Sequence, residues 1–281
     1  MESHSAYPNA FMNINDDDKP TQVFYTPGNL YDKIKQGKME LNEVCKLLQN
    51  VTMNEKLFVA SMQDDMVKVS QLLDSGANIN AYNDIAFRAA CFYKHMDLMK
   101  FLVEKGANIN SNNNEAMFLA SNNGHLDVVK FLVENGVDIH VENDYALRSA
   151  SVSENGHLEV VKFLVESGAD VHAENDYALR AASQKGHLEM VKFLVEKGAD
   201  IHAWNDNALC MASYNGHLEV VKFLVENGAD INAGNGNALY YARMYCWKKV
   251  VDFLVEKGAD ISAIDRADEY RSKLESCSFS C

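Results

Sequence analysis

A glycine followed by alanine or valine and then aspartate or asparagine falls at Gly76, Gly106, Gly136, Gly168, Gly198, Gly228 and Gly258. The spacings are 30, 30, 32, 30, 30 and 30 residues. A fixed period of this size is the mark of a repeat array, and it outranks any local reading of the chain. Arrays grow linearly, so the 281 residues do not count domains here.

The stretch Tyr177 to Ala203 shows the unit. Ala178, Leu179, Ala181, Ala182 and Ser183 are small or good helix formers, and Asn175-Asp176 before them supplies a helix cap. Two turns cannot stand alone in water. Gly186-His187 breaks this first helix. Leu188, Val191, Leu194 and Val195 then recur on one face of a second helix, with Glu189, Lys192 and Glu196 alternating in sign on the other. Gly198 ends that helix, because glycine adopts the left-handed conformation cheaply. One such helix pair cannot bury its apolar face, so neighbours must stack on it.

Stretches such as GHLEVVKFLVENGADI resemble the ankyrin repeat, over Asn54 to about Ala263. Each first-helix leucine stands seven residues before the central glycine, as in that family. The sequence departs from the family pattern between repeats. DYALR stands where Thr-Pro-Leu-His is usual, the connecting segment is three residues shorter, and no proline occurs in the array, so stubby turns are expected in place of projecting hairpins. This 30-residue form is similar to the ankyrin proteins that giant amoeba-infecting DNA viruses carry in many copies. The resemblance implies an all-α ankyrin-repeat solenoid of stacked helix-turn-helix units. It also implies a non-enzymatic scaffold that binds a partner protein, a host protein if the source is viral, on its concave face. The alternative it raises is a substrate-recruiting adaptor of a ubiquitin-ligase-type assembly.

Composition narrows the classes. The formal charge of −14 argues against a nucleic-acid surface, which needs basic patches. Six scattered cysteines form no Cys-x-x-Cys pair and suit a reducing compartment, so a cytoplasmic location is expected. No run approaches 18 apolar residues and the opening residues hold no apolar segment, so neither a membrane span nor a secretory leader is expected. The chain is expected to be a monomer.

Residues 1–28 contain all three prolines and an Asp16-Asp17-Asp18 run, and read as disordered. Residues 29–53 read as a degenerate repeat capping the N-terminal end of the core. Residues 54–263 form seven repeats: Asn54–Ala81, Tyr82–Ser111, Asn112–Val141, Glu142–Ala173, Glu174–Ala203, Trp204–Ala233 and Gly234–Ala263. Repeat four carries two extra residues near Val152-Ser153, read either as a longer turn or as a bulge that adds a contact. Repeat seven has Cys-Trp-Lys-Lys where Gly-His-Leu-Glu stood, with Trp247 in the histidine position. Residues 264–281 read as a capping helix, Asp265 to Glu275, and a tail.

No catalytic constellation emerges, and no cofactor or metal is expected. Histidines recur once per repeat at His95, His125, His157, His187 and His217, and in the loops at His140, His172 and His202. Successive members of a row belong to different repeats about 10 Å apart, whereas the ligands of one zinc lie within about 2.1 Å of it. The first row is read as a turn element whose imidazole bonds backbone. What remains is variation against a fixed background. The position opening each repeat reads Tyr82, Asn112, Glu142, Glu174, Trp204 and Gly234. Three residues on it reads Ile85, Glu115, Tyr145, Tyr177, Asn207 and Asn237. Beyond the first-helix leucine or its equivalent it reads Arg88, Phe118, Arg148, Arg180, Cys210 and Tyr240. Tyr82, Tyr145, Tyr177 and Trp204, with Arg148 and Arg180, are the candidate partner-binding residues, since Trp, Tyr and Arg dominate interface hot spots. The competing reading is packing within the array, with Arg148 and Arg180 paired to Asp144 and Asp176.

Overall fold

The structure, a computed structural model, describes residues 52–268. The expectations for residues 1–28, for 29–53 up to residue 51, and for the capping helix and tail beyond 268 lie outside the described residues.

Fourteen helices follow in seven pairs: α1 (Met53–Met62) and α2 (Met66–Asp74), α3 (Ala81–Tyr93) and α4 (Met96–Glu104), α5 (Ser111–Asn122) and α6 (Leu126–Glu134), α7 (Val141–Val152) and α8 (Leu158–Glu166), α9 (Ala173–Lys185) and α10 (Leu188–Glu196), α11 (Ala203–Tyr214) and α12 (Leu218–Glu226), α13 (Ala233–Met244) and α14 (Lys248–Glu256). A short helical segment over 262–268 follows. First helices pack on first helices and second on second. The described residues form an all-helical solenoid with one core running from Leu57 to Ala263. In repeat five that core takes Leu179, Ala182, Val191 and Leu194, each fully buried.

The second-helix stripe differs from expectation in one respect. Leu188 and Leu218 are only half-buried, whereas Val191, Leu194, Val221 and Leu224 are inaccessible. Leu188 opens α10 beside the Gly-His turn, at the margin of the stack, so the stripe's weight lies one turn further in. There truncation of a leucine costs about 2–5 kcal/mol.

The turns between repeats are compact. After α10, Gly198 takes φ +98° and the Ala199 N–H returns to the Leu194 carbonyl at 3.0 Å, closing the helix end with a left-handed residue. Asp200 then accepts the His202 N–H at 2.9 Å. Next come three consecutive left-handed residues, Trp204, Asn205 and Asp206, with φ of 54–55°. Tyr82-Asn83-Asp84, Glu142-Asn143-Asp144 and Glu174-Asn175-Asp176 do the same. Left-handed backbone costs an ordinary residue about 1–2 kcal/mol, and Asn and Asp tolerate it best.

The aspartate closing each triplet offsets that cost by tying the turn that opens its repeat to the turn that closes it. Asp144, Asp176 and Asp206 accept the N–H of Asp170, Asp200 and Asp230 at 3.1, 2.8 and 2.8 Å. Each also accepts from Nδ1 of the histidine four residues earlier, His140, His172 or His202, at 3.0–3.1 Å. The Asn-Asp pair expected to cap its own helix thus ties the two ends of its repeat together, and through the histidine joins it to the repeat before. Its carboxylate is buried where a neighbouring backbone N–H needs an acceptor.

At the other end of the first helices of repeats four to six the Gly-His pair forms a second staple. His157, His187 and His217 donate from Nε2 to the carbonyls of Asn122, Ser153 and Gln184 in the preceding repeat at 2.9–3.0 Å. Gly186 has φ +77°, and a Cβ there would stand 2.6 Å from Nδ1 of His217. The glycine is required both by its own backbone and by the ring that the next repeat lays over it.

Candidate binding surface

The variable positions lie on the left-handed turns and the starts of the first helices. Arg148 donates from Nε to the Asn143 carbonyl at 3.0 Å and from a terminal nitrogen to the Glu142 carbonyl at 2.8 Å. Arg180 does the same to Asn175 and Glu174, at 3.0 and 2.9 Å. Arg88 makes the equivalent bonds to Asn83 and Tyr82 at 2.9 and 3.1 Å, and pairs with Glu115. Each arginine clamps the left-handed turn of its own repeat. The expected pairing of Arg148 and Arg180 with Asp144 and Asp176 is not the contact made. Those carboxylates are taken by a backbone N–H at the far end of their own repeat and by a histidine of the repeat before, and the guanidinium meets bare carbonyls instead.

Held this way, the guanidiniums stand between rings. Arg148 lies 5.0 Å from the Tyr145 ring and 5.7 Å from the Tyr177 ring. Arg180 lies 5.4 Å from Tyr177 and 4.4 Å from Trp204. Phe118 of repeat three stacks on Tyr145, with centroids 4.8 Å apart and planes within 11°. The result is a ladder across four repeats, Phe118, Tyr145, Arg148, Tyr177, Arg180 and Trp204. Each cation–ring contact is worth about 0.5–1 kcal/mol at such partly exposed sites. The ladder brings five of the six candidate residues together. Tyr82 stands apart from it, 42% exposed, its carbonyl held by Arg88. Trp204, the last rung, is 54% exposed. Phe118 belongs to the same surface although it was not among the candidates. Its place in the arginine row was the available signal, and the stacking partner 27 positions on was not.

Other chemistry is thin. Among the described residues no group of three His, Cys, Asp or Glu side chains converges as metal ligands would, and the imidazoles of His140, His157, His172, His187, His202 and His217 are engaged as above. Burial pushes the Cys210 thiol up to about 12 and raises that of Cys91 as well, which removes thiolate character. A cleft of about 20 Å³ at Asn114, Met117, Phe118, Ile139 and Tyr145 is water-sized. The extra residues of repeat four end α7 in an extended Ser153 (φ −61°, ψ 146°). They open a shallow polar groove of about 350 Å³ beside Asn122, Asn123, Glu154 and His157, where Glu154 also pairs with Lys185.

No helix among the described residues is long and apolar enough to cross a membrane. No curated protein matches the chain. Among solved structures, the human ASB11 ankyrin repeat domain is similar, at 24% identity and a TM-score of 0.61, covering 73% of this chain and 98% of that one. At that identity the likeness speaks for the fold alone. The family model described as ankyrin repeats (3 copies) matches residues 57–143, 143–205 and 179–265, spanning nearly the whole described array. The chain belongs to the ankyrin-repeat family.

Proposed function

We propose that this chain is a non-enzymatic interaction scaffold, a cytoplasmic monomer that binds a partner protein along the face carrying the ring–guanidinium ladder. Ankyrin repeats are typically non-catalytic interaction modules. The observation that carries the reading is the ladder itself: a row of aromatic and arginine side chains, partly open to solvent, at positions where the repeat does not dictate residue type. Such side chains supply hot spots because they offer large rigid contact area with polar handles. First helices pack on one another more extensively than second helices do, as on the inner side of a curved array, which supports a concave site. Seven repeats at about 10 Å each give about 60–70 Å of surface, ample for about 800 Å² of interface.

The test is affinity capture with the wild type, a Tyr145→Ala/Tyr177→Ala/Trp204→Ala variant, and a control variant with Glu159, Glu189 and Glu219 changed to glutamine on the exposed faces of the second helices. A partner retained by wild type and control and lost by the ladder variant supports the assignment. A partner lost only by the control moves the site to the second helices. If the captured protein is a ubiquitin-ligase subunit, the chain is a recruiting adaptor.

A further inference from the structure

The clamp on the left-handed turn is not present in every repeat. Repeats two, four and five use Arg88, Arg148 and Arg180. In repeat seven Tyr240 stands at the arginine position, and an arginine from outside the repeat takes over: Arg266, in the segment after the array, donates to the Asn235 carbonyl. In repeat six the position is Cys210, buried and too short to reach. No side chain among the described residues donates to the Trp204 or Asn205 carbonyls there. The same turn holds Trp204, whose ring has Arg180 as its one cationic neighbour among the described residues and whose surface is more than half open.

The turn beyond Trp204 presents glycine. Successive turns touch through their side chains where they have them: Asn143 of repeat four donates to Glu174 of repeat five at 2.7 Å. The turn that follows Trp204 is Gly234-Asn235-Gly236, so the residue facing Asn205 in that register is Gly234, with only the short Asn237 amide folded beside it.

We propose that the partner supplies an arginine to repeat six, its guanidinium resting against Trp204 on the side away from Arg180 and donating to the Trp204 and Asn205 carbonyls. The partner's arginine then becomes the next rung of the ladder. This inference rests on the assignment of the ladder face as the binding surface. Three features select arginine. Its planar fork matches two adjacent carbonyls, as Arg148 and Arg180 show within this chain. It stacks on aromatic rings better than the strongly hydrated ammonium of lysine. A basic segment also complements a chain of net charge −14. Arg266 shows that a guanidinium arriving from another segment can serve such a turn.

The test uses the full chain with Trp247→His, which restores the residue found at that position in five other repeats and leaves Trp204 as the single tryptophan. Emission of Trp204 is followed while acetyl-Gly-Arg-Gly-amide or its lysine counterpart is added. The arginine peptide should give a saturable change, with half-saturation at least about fivefold lower than the lysine peptide. Cys210→Arg should raise that half-saturation about tenfold or more, because the chain's own guanidinium then fills the place. Equal response to both peptides, no saturable response, or a response unaltered by Cys210→Arg overturns the inference. If Cys210→Arg does not fold, the comparison of arginine with lysine decides alone. If the arginine peptide fails while a captured partner still depends on Tyr145, Tyr177 and Trp204, the binding face stands and the arginine does not. If capture is indifferent to those three residues, both fall.

Discussion

The two tryptophans of this chain sit at opposite ends of first helices, and they differ in kind. Trp247, after α13, occupies a histidine position and does the histidine's work. Its indole N–H donates to the Tyr214 carbonyl of the preceding repeat at 2.8 Å, and its ring lies over Gly216 as His217 lies over Gly186. Trp204, at the start of α11, occupies a position that elsewhere holds Tyr, Asn, Glu or Gly. Its side chain bonds no backbone among the described residues and is 54% exposed. At one end of the helix the residue changes and the contact persists. At the other the backbone persists and the contact changes. The first pattern marks structure, and the second marks the surface on which neighbouring repeats are free to differ.

The comparison is broken most directly at the Gly-His end. Gly186→Ala should cost about 2–4 kcal/mol. The left-handed backbone accounts for about 1–2, and the rest comes from displacing His217 from its bond to Gln184. Gly198→Ala, also left-handed but with nothing within 4 Å of its added Cβ, should cost only about 1–2 kcal/mol. Urea midpoints of the two variants give the difference. Equal losses would show that the approach of the imidazole contributes nothing and that the staple is incidental.

The tryptophans give the next test. Trp247→Ala removes a carbonyl's donor and the cover on Gly216, and should lower stability by about 1–3 kcal/mol. Trp247→His should restore most of it. Trp204→Ala forfeits one half-exposed contact with Arg180 and should cost under about 1 kcal/mol, while abolishing partner capture. Were Trp204→Ala the more damaging to folding, the ladder would be packing and the proposed site would have to move.

The period, the paired helices and the helix-ending glycines were legible in the sequence because each depends on residues a few positions apart. The Gly-His staple was legible as chemistry, an imidazole on backbone, but its acceptor lies 33–35 residues earlier and no local pattern names it. Asp144 and Asp176 were paired with the wrong partner for the same reason. Local charge pointed to Arg148 and Arg180, while the acceptor was needed by a backbone N–H at the far end of the same repeat. The candidate site was half legible. Comparing copies singled out Tyr145, Arg148, Tyr177, Arg180 and Trp204, but only stacking the repeats puts Arg148 between rings 32 residues apart. Tyr82 met the same composition rule and lies outside, because Ile85 and the buried Arg88 give it no rung to join.

The smallest effect sharpens the histidine row by its irregular member. In repeat two Lys94 holds the glycine position at φ 63°. His125 bonds the Cys91 carbonyl through Nδ1 at 3.4 Å, where its counterparts use Nε2 at 2.9–3.1 Å. Burial holds its pKa below the ordinary histidine value. Lys94 and His157 add to that depression, while the Cys91 carbonyl and Asp127 oppose it. The folded state therefore disfavours the imidazolium. Below the unfolded value of about 6.5 the unfolded chain binds a proton that the folded chain resists, so stability must fall as the pH drops from there toward the depressed folded value. Above about 6.5 both states are neutral at this residue and the contribution is complete. His125→Asn cannot titrate, and its urea midpoint should fall less steeply than the wild type's between about pH 6.5 and 5. Parallel slopes would mean that His125 stays as hydrated as in the unfolded chain, and that a lysine at the glycine position leaves the ring free in solvent instead of held against repeat two.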